Sequence, residues 1–323
     1  MEFIVNTVKV IMKPKKVEEL LELTRPTLLQ RIREHSLDVP KTTSGENVFR
    51  WKHVIQLQYM AKYNYIQNMN PKVISICQNK GGVGKTTSVI NLATAFSYLG
   101  KTLVIDLDGQ ANLSQGLDIY LNEEDYSISD VFENIEVVDD AIRKINDNLF
   151  LLPNHLKFER WKKNNRGNTK SVFVLKKILK KIKNDYKFIL IDTPSSLDLS
   201  LEMALYASNY CIIPFEPQPF SLEGITNILD EIENIQDNDD IINFDLKILG
   251  IFINMYEKNN LSQQISEVVD EKFNTFKTRI RKAVAVQQAQ AVKVPIFEFD
   301  ETSNSAMDFY NLTFEILEKI IEA

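Results

Sequence analysis

From residue 71 onward, short unbroken apolar runs alternate with segments whose apolar residues recur every three or four positions. The runs are Val73-Ile74-Ser75-Ile76-Cys77, Leu103-Val104-Ile105, Phe188-Ile189-Leu190-Ile191, Tyr210-Cys211-Ile212-Ile213-Pro214 and Ile248-Leu249-Gly250-Ile251-Phe252-Ile253. Runs of this length predict strands buried on both faces, as in a parallel sheet. Between them, residues 88–96 predict a helix. Val172, Leu175, Ile178, Leu179 and Ile182 give residues 170–183 one apolar helical face. Strands alternating with helices predict an α/β fold: a mostly parallel twisted sheet flanked by helices.

Residues 1–70 carry a different pattern. Lys15 to Leu23 predict a short helix. Thr24 caps a second one that runs to Glu34 with Pro26 in its first turn. Lys41 to Arg50 contain a turn at Ser44-Gly45, and Trp51 to Tyr65 predict a third helix. Two short helices with a tight turn, then a hairpin, fit a small, mainly helical winged helix-turn-helix. The polar passage Asn64 to Pro71 marks a boundary, so residues 1–70 and 71–323 are expected to form separate domains.

Composition narrows the class. The 323 residues are 44% hydrophobic, enough for a large core, and no apolar run approaches the length of a membrane span. With no secretory leader at the start, the expected location is the cytoplasm. The two cysteines, Cys77 and Cys211, both fall in expected core strands, which excludes a disulfide framework. The net charge of −6 hides two basic islands: residues 1–70 carry +4 and residues 157–187 carry +10, so the remainder carries −20. Segregation of this kind points to nucleic-acid contact.

The chemistry centres on Gln78-Asn79-Lys80-Gly81-Gly82-Val83-Gly84-Lys85-Thr86-Thr87, placed between the first strand and the first helix of the repeat. This is a G-x-x-x-x-G-K-[ST] phosphate-binding loop. Gly81, Gly82 and Gly84 let the backbone wrap closely around phosphates, and the following helix adds its N-terminal partial charge. Lys85 is expected at the β- and γ-phosphates, Thr86 at Mg²⁺ and Thr87 near the α-phosphate, with Val83 inside the loop. Two further strands end in acids: Asp106 and Asp108 close one, and Asp192 closes Phe188–Ile191. Strand alternation places Asp106 and Asp108 on one side, at the carboxyl end where open α/β sheets bind ligands.

Lys80, five residues before the usual lysine, resembles the second lysine of the deviant Walker A motif in the ParA/MinD class of ATPases. The run D-x-D-x-Q-x-N-x-S from Asp106, the segment Pro214 to Gly224 and the run Thr278 to Ala289 are similar to later motifs of ParA proteins, so the resemblance spans about residues 71–323. It implies an ATP- and Mg²⁺-dependent ATPase of slow turnover, in which two protomers sandwich two ATP molecules. Lys80, free of its own helix, then reaches the partner's phosphates. Asp108 orients the attacking water, Asp106 and Asp192 stand at the metal, and Asn254 with Met255 contacts the nucleotide. The cysteine count argues against the iron-protein branch of the class. The acidic C-terminal helix, residues 311–323, argues against attachment to a membrane.

The N-terminal module resembles the winged helix-turn-helix of larger plasmid ParA proteins. On that reading Arg25, Thr27, Arg31 and Arg33 face the major groove, while Lys41 and Arg50 touch phosphates. A protein-binding helical cap is the alternative. The second basic island reads as a loop carrying Lys157, Arg160, Lys162, Lys163 and Arg166 around Trp161, followed by a lysine-faced helix. Lys162, Lys163 and Arg166 are its candidate contacts with DNA of any sequence. The combined expectation is a homodimeric, nucleoid-associated partition ATPase, bacterial and plasmid-encoded, stimulated by a ParB-type partner and repressing its own promoter. The competing readings are a nucleotide-switched transcription regulator, a cargo-positioning ATPase and a metabolic P-loop enzyme.

Overall fold

The computed structural model describes residues 11–63, 69–219, 221–237 and 246–323. Eight strands form one sheet: β1 (Lys72–Ile76), β2 (Thr102–Asp106), β3 (Arg143–Lys144), β4 (Leu149–Leu152), β5 (Phe188–Asp192), β6 (Tyr210–Phe215), β7 (Lys247–Tyr256) and β8 (Thr275–Arg281). Their spatial order is β3-β4-β2-β5-β1-β6-β7-β8. The short β3 runs antiparallel to β4, and the other pairings are parallel. The sheet is thus mostly parallel, and its central strands are buried along their length, which explains their unbroken apolar sequence.

Three N-terminal helices precede the sheet: α1 (Pro14–Leu21), α2 (Arg25–Glu34) and α3 (Trp51–Tyr63). The remaining helices alternate with strands. They are α4 (Lys85–Ser97), α5 (Asn112–Gly116), α6 (Ile128–Glu133), α7 (Val138–Ala141), α8 (Lys157–Asn164), α9 (Val174–Ile182), α10 (Leu199–Ala207), α11 (Leu222–Asp237), α12 (Asn260–Lys272), α13 (Val284–Ala291), α14 (Ile296–Phe299) and α15 (Asn304–Glu322). Helices cover both faces of the sheet. The Phe96 ring of α4 lies tilted 4.5 Å from that of Phe188, while the apolar face of α9 joins Leu103, Ile105 and Ile189 in one core cluster.

The N-terminal segment shares its core with the rest of the chain. Trp51 lies 5.8 Å from Phe297 and 5.2 Å from Tyr310, and its indole Nε1 donates to the Glu301 carbonyl at 2.8 Å. Tyr63 stacks on Phe314, and Lys62 pairs with Glu318 at 3.0 Å. The boundary expected at 64–71 falls mostly on residues 64–68, outside the described residues. Within the segment, Lys41 and Asn47 bridge in antiparallel fashion around a turn in which Gly45 takes φ +83°. Only glycine occupies that backbone region without strain.

Candidate functional site

The loop between β1 and α4 lies at the carboxyl end of the central strand, where the chain crosses from one half of the sheet to the other. Gly82 and Gly84 take φ +78° and +82°. Gly84 is the residue before the first turn of α4, and it offers that turn's N–H groups no side-chain acceptor. They remain available to an anion. A cavity of about 490 Å³ opens beside them, bounded by Gly82, Lys85, Thr86, Asp108, Ser195 and Met255 on one side and by α13 on the other.

Lys85 is buried, and its Nζ donates to Ser195 Oγ at 2.7 Å and to the Lys80 carbonyl at 3.4 Å. Burial lowers its pKa, while Asp192 and Asp108 pull the other way. Thr86 Oγ1 donates to Asp192 Oδ2 at 2.7 Å. The other oxygen, Asp192 Oδ1, is buried without a hydrogen-bond partner. Burial, and next the neighbouring Asp106 carboxylate, push Asp192 well above the ordinary carboxylate range. An orphaned carboxylate oxygen beside a threonine hydroxyl is the donor set a hard cation takes, and a nearby cation would hold Asp192 ionised. The residues therefore fit Mg²⁺.

Asp106 stands in register beside Asp192 across β2 and β5, but its relation to Asp108 differs from the one expected. β2 ends at Asp106, so Asp108 lies beyond the strand and the two are not related by strand alternation. Asp106 is fully buried; its Oδ1 accepts from Asp108 N, and its Oδ2 from Ser114 N and Oγ. With three donors on two oxygens it fastens the 108–114 turn. Burial raises its pKa to about 7 against those hydrogen bonds. Asp108 itself is half-buried at the cavity wall.

Lys80 also departs from expectation. In the single subunit its Nζ is not free, because it donates to Ser221 Oγ at 2.7 Å in the turn before α11. Asn254 is buried and its Nδ2 donates to the Val83 carbonyl at 2.7 Å, bracing the loop from β7. Met255, at φ +53°, reaches the cavity. Thr87 Oγ1 accepts from Gln290 of α13.

The candidate DNA contacts divide. Residues 157–164 form a helix rather than a loop, and its Trp161 is buried. Lys162 is held by Glu159 and Asp198, which removes it from the exposed surface, whereas Lys163 and Arg166 are exposed. On α2, Arg33 is exposed and Arg31 half-buried; Arg25 pairs with Glu18 at 3.0 Å, and the Thr27 hydroxyl bonds Thr24 at 2.8 Å. Lys41 is exposed, and Arg50 stands 4.0 Å from Glu301. The sequence reading assigned no role to Ser195, Ser114 or Ser221. Each lies inside or beside a quoted motif, but a serine among motif residues carries no signal of which partner it will meet.

Fold and loop together define a P-loop nucleotide-binding protein. A family profile described as an AAA domain matches residues 71–248. The sporulation initiation inhibitor Soj of Bacillus subtilis is 31% identical over 250 residues, covering 76% of this chain and 98% of Soj. The chromosome partitioning protein ParA of Caulobacter vibrioides is 30% identical over 258 residues, covering 77% of this chain and 96% of ParA. Among solved structures, a putative plasmid partition protein of Borrelia burgdorferi bound to AMPPNP superposes with a TM-score of 0.67 at 27% identity, covering 77% of this chain and 100% of that one. The chain belongs to the ParA/Soj family of partition ATPases. Among the described residues no helix is long and apolar enough to cross a membrane.

Proposed function

We propose that the protein is a partition ATPase that binds and hydrolyses ATP, pairs with a second copy when ATP-loaded, and in that state holds DNA of any sequence. The observation that carries this reading is buried Lys85 and Asp192 with half-buried Thr86 beneath glycines in the left-handed region, and Lys80 at the loop's mouth. The loop N–H groups and Lys85 bind the phosphates and neutralise part of their charge. Thr86 and Asp192 would hold Mg²⁺, which when bound supplies further charge neutralisation. Asp108 orients the attacking water at the cavity wall. Lys80 leaves Ser221 and serves the pocket of the opposite subunit, so nucleotide occupancy and pairing are coupled. A compact ammonium lacks the bidentate fork of arginine, which fits slow turnover.

Hydrolysis then acts as a timer: loss of the γ-phosphate removes the contacts that favour the paired state and shifts the population back. A ParB-type partner shortens the interval. Exposed Lys163 and Arg166 contribute to the surface for DNA of any sequence, and α2 with the 41–47 hairpin contributes promoter recognition and self-repression. This activity belongs in the cytoplasm, at the nucleoid. The test is binding of a random-sequence duplex with ATP, with ADP and with no nucleotide, over a range of salt. The expected result is ATP-dependent binding with a log–log salt slope of about −4 to −5, for roughly four to six neutralised phosphates. Equal binding in all three nucleotide states would reject the proposal.

A further inference from the structure

Lys162 has the surroundings of a structural element of the site rather than of a surface cation. Its side chain is only 12% exposed, and its Nζ lies 2.8 Å from Glu159 Oε1, 2.9 Å from Asp198 Oδ2 and 5.3 Å from the centre of the Phe158 ring. The two carboxylates touch different turns, each of which supplies one residue of the nucleotide cavity, Asp108 or Ser195.

On one wall, Asp198 caps α10: its Oδ1 accepts from Ser200 N and its Oδ2 from Ser196 Oγ, each at 2.9 Å. This is the turn that presents Ser195, the acceptor for Lys85. On the other wall, Glu159 lies against Gly109, the residue after Asp108. A methyl group on Gly109 would stand 2.0 Å from Glu159 Oε1 and 2.7 Å from its Cδ. The same turn is held from behind by Asn154 Nδ2, which donates to the Asp108 carbonyl at 3.0 Å. One ammonium therefore ties the Asp108–Gly109 turn to the turn after β5, through α8.

We propose that Lys162, acting through Glu159, is a positioning residue for ATP hydrolysis: it fixes the separation between the Asp108 turn and the Ser195–Asp198 turn. It touches no reacting atom. The inference rests on the nucleotide-site reading above, and it gives Lys162 a role in place of contact with DNA. Stability alone gives this cluster little reason to exist, because Glu159 is 52% and Asp198 32% exposed, and ion pairs open to solvent contribute little. A geometric role does give a reason, since displacing a reacting group by about 1 Å can cost on the order of a hundredfold in rate.

The test uses the full chain, with steady-state ATPase resolved into kcat and KM and with titration of a fluorescent ATP analogue. Lys162→Met keeps the stem and removes the charge. Lys162→Met and Glu159→Gln are each expected to lower kcat about ten- to a hundredfold, with KM and analogue affinity within about twofold. Lys162→Arg restores most of the rate. Gly109→Ala lowers kcat similarly, and its combination with Glu159→Gln is no worse than either alone, because both act through one contact. Wild-type kcat in Lys162→Met, or parallel loss of analogue affinity and kcat, would overturn the proposal. So would a fall of about one in the DNA salt slope of Lys162→Met, the signature of a phosphate contact. Asp108→Ala separates the two levels: wild-type turnover there rejects the site reading itself. An inactive Asp108→Ala beside a fully active Lys162→Met rejects only the role of Lys162.

Discussion

Replacing Gly84 by alanine perturbs the phosphate loop in two ways whose sizes can be worked out separately. The first is backbone strain: φ at Gly84 is +82°, and an L-residue there costs about 1–2 kcal/mol. The second is steric. The added Cβ would stand 2.4 Å from Asn254 Nδ2 and 3.2 Å from the terminal methyl of Met255, well inside van der Waals contact. Asn254 must then swing away and abandon its bond to the Val83 carbonyl, leaving buried polar groups unmatched at about 1–3 kcal/mol. Gly84→Ala should therefore lose about 2–5 kcal/mol. Gly82→Ala, with φ +78° and nothing within 4 Å of the added methyl, should lose only the strain of about 1–2 kcal/mol. Urea unfolding of the nucleotide-free protein measures both, and a cycle with Asn254→Ala isolates the contact, because Gly84→Ala costs less once the amide is gone. Equal losses at the two glycines, or additivity with Asn254→Ala, would refute the assignment of Asn254 as the brace of the loop.

Other perturbations follow from the same reasoning. Trp51→Ala should cost about 3–5 kcal/mol, because the ring is buried between Phe297 and Tyr310 and its N–H serves Glu301; a single shifted urea transition is expected, and an unshifted nucleotide-domain transition would show that the N-terminal segment folds apart. His53 is kept neutral by burial and by the nearby Lys52, with its pKa lowered to about 4 from 6.5. Its Nδ1 accepts from Arg50 N, and its Nε2 lies 3.1 Å from the Asp38 carbonyl. The unfolded chain takes up the proton first. The stability His53 provides is therefore complete above pH 6.5 and is lost as pH falls towards 4, by about 2 kcal/mol after allowing for partial solvent screening. The stability difference between wild type and His53→Gln should shrink over that window; a constant difference would contradict the assignment. Arg31→Ala should weaken binding to the protein's own promoter while leaving ATPase activity without DNA unchanged, and equal loss of both would make the N-terminal module structural.

The parts of this molecule that were legible in the sequence are those fixed by short-range chemistry. Val73 to Cys77 reads as a buried strand because every position is apolar or small, and β1 spans Lys72–Ile76. Strand, glycine loop and helix identify the phosphate site without any long-range information. What escaped was decided across space. Residues 157–166 looked like a basic loop because five of the first seven positions are charged, yet Phe158 and Trp161 are spaced to share a helical face and are both buried. Lys162 finds Asp198 in a turn 36 residues away, a pairing no local pattern announces. Asp106 and Asp108 look equivalent by alternation, but the strand stops at Asp106, so one becomes a fastening point and the other a wall of the cavity. The polar edge strand β8 carries no apolar run to betray it.

The central claim, that nucleotide occupancy and pairing are one event joined by Lys80, is tested most directly by measuring molar mass in solution for Asp108→Ala with ATP and Mg²⁺, alone and combined with Lys80→Ala. The account predicts twice the chain mass for Asp108→Ala with ATP and no hydrolysis, and a single chain once Lys80 is also replaced. An ATP-loaded wild-type single chain that hydrolyses its nucleotide unaided, or pairing undiminished without Lys80, would contradict it.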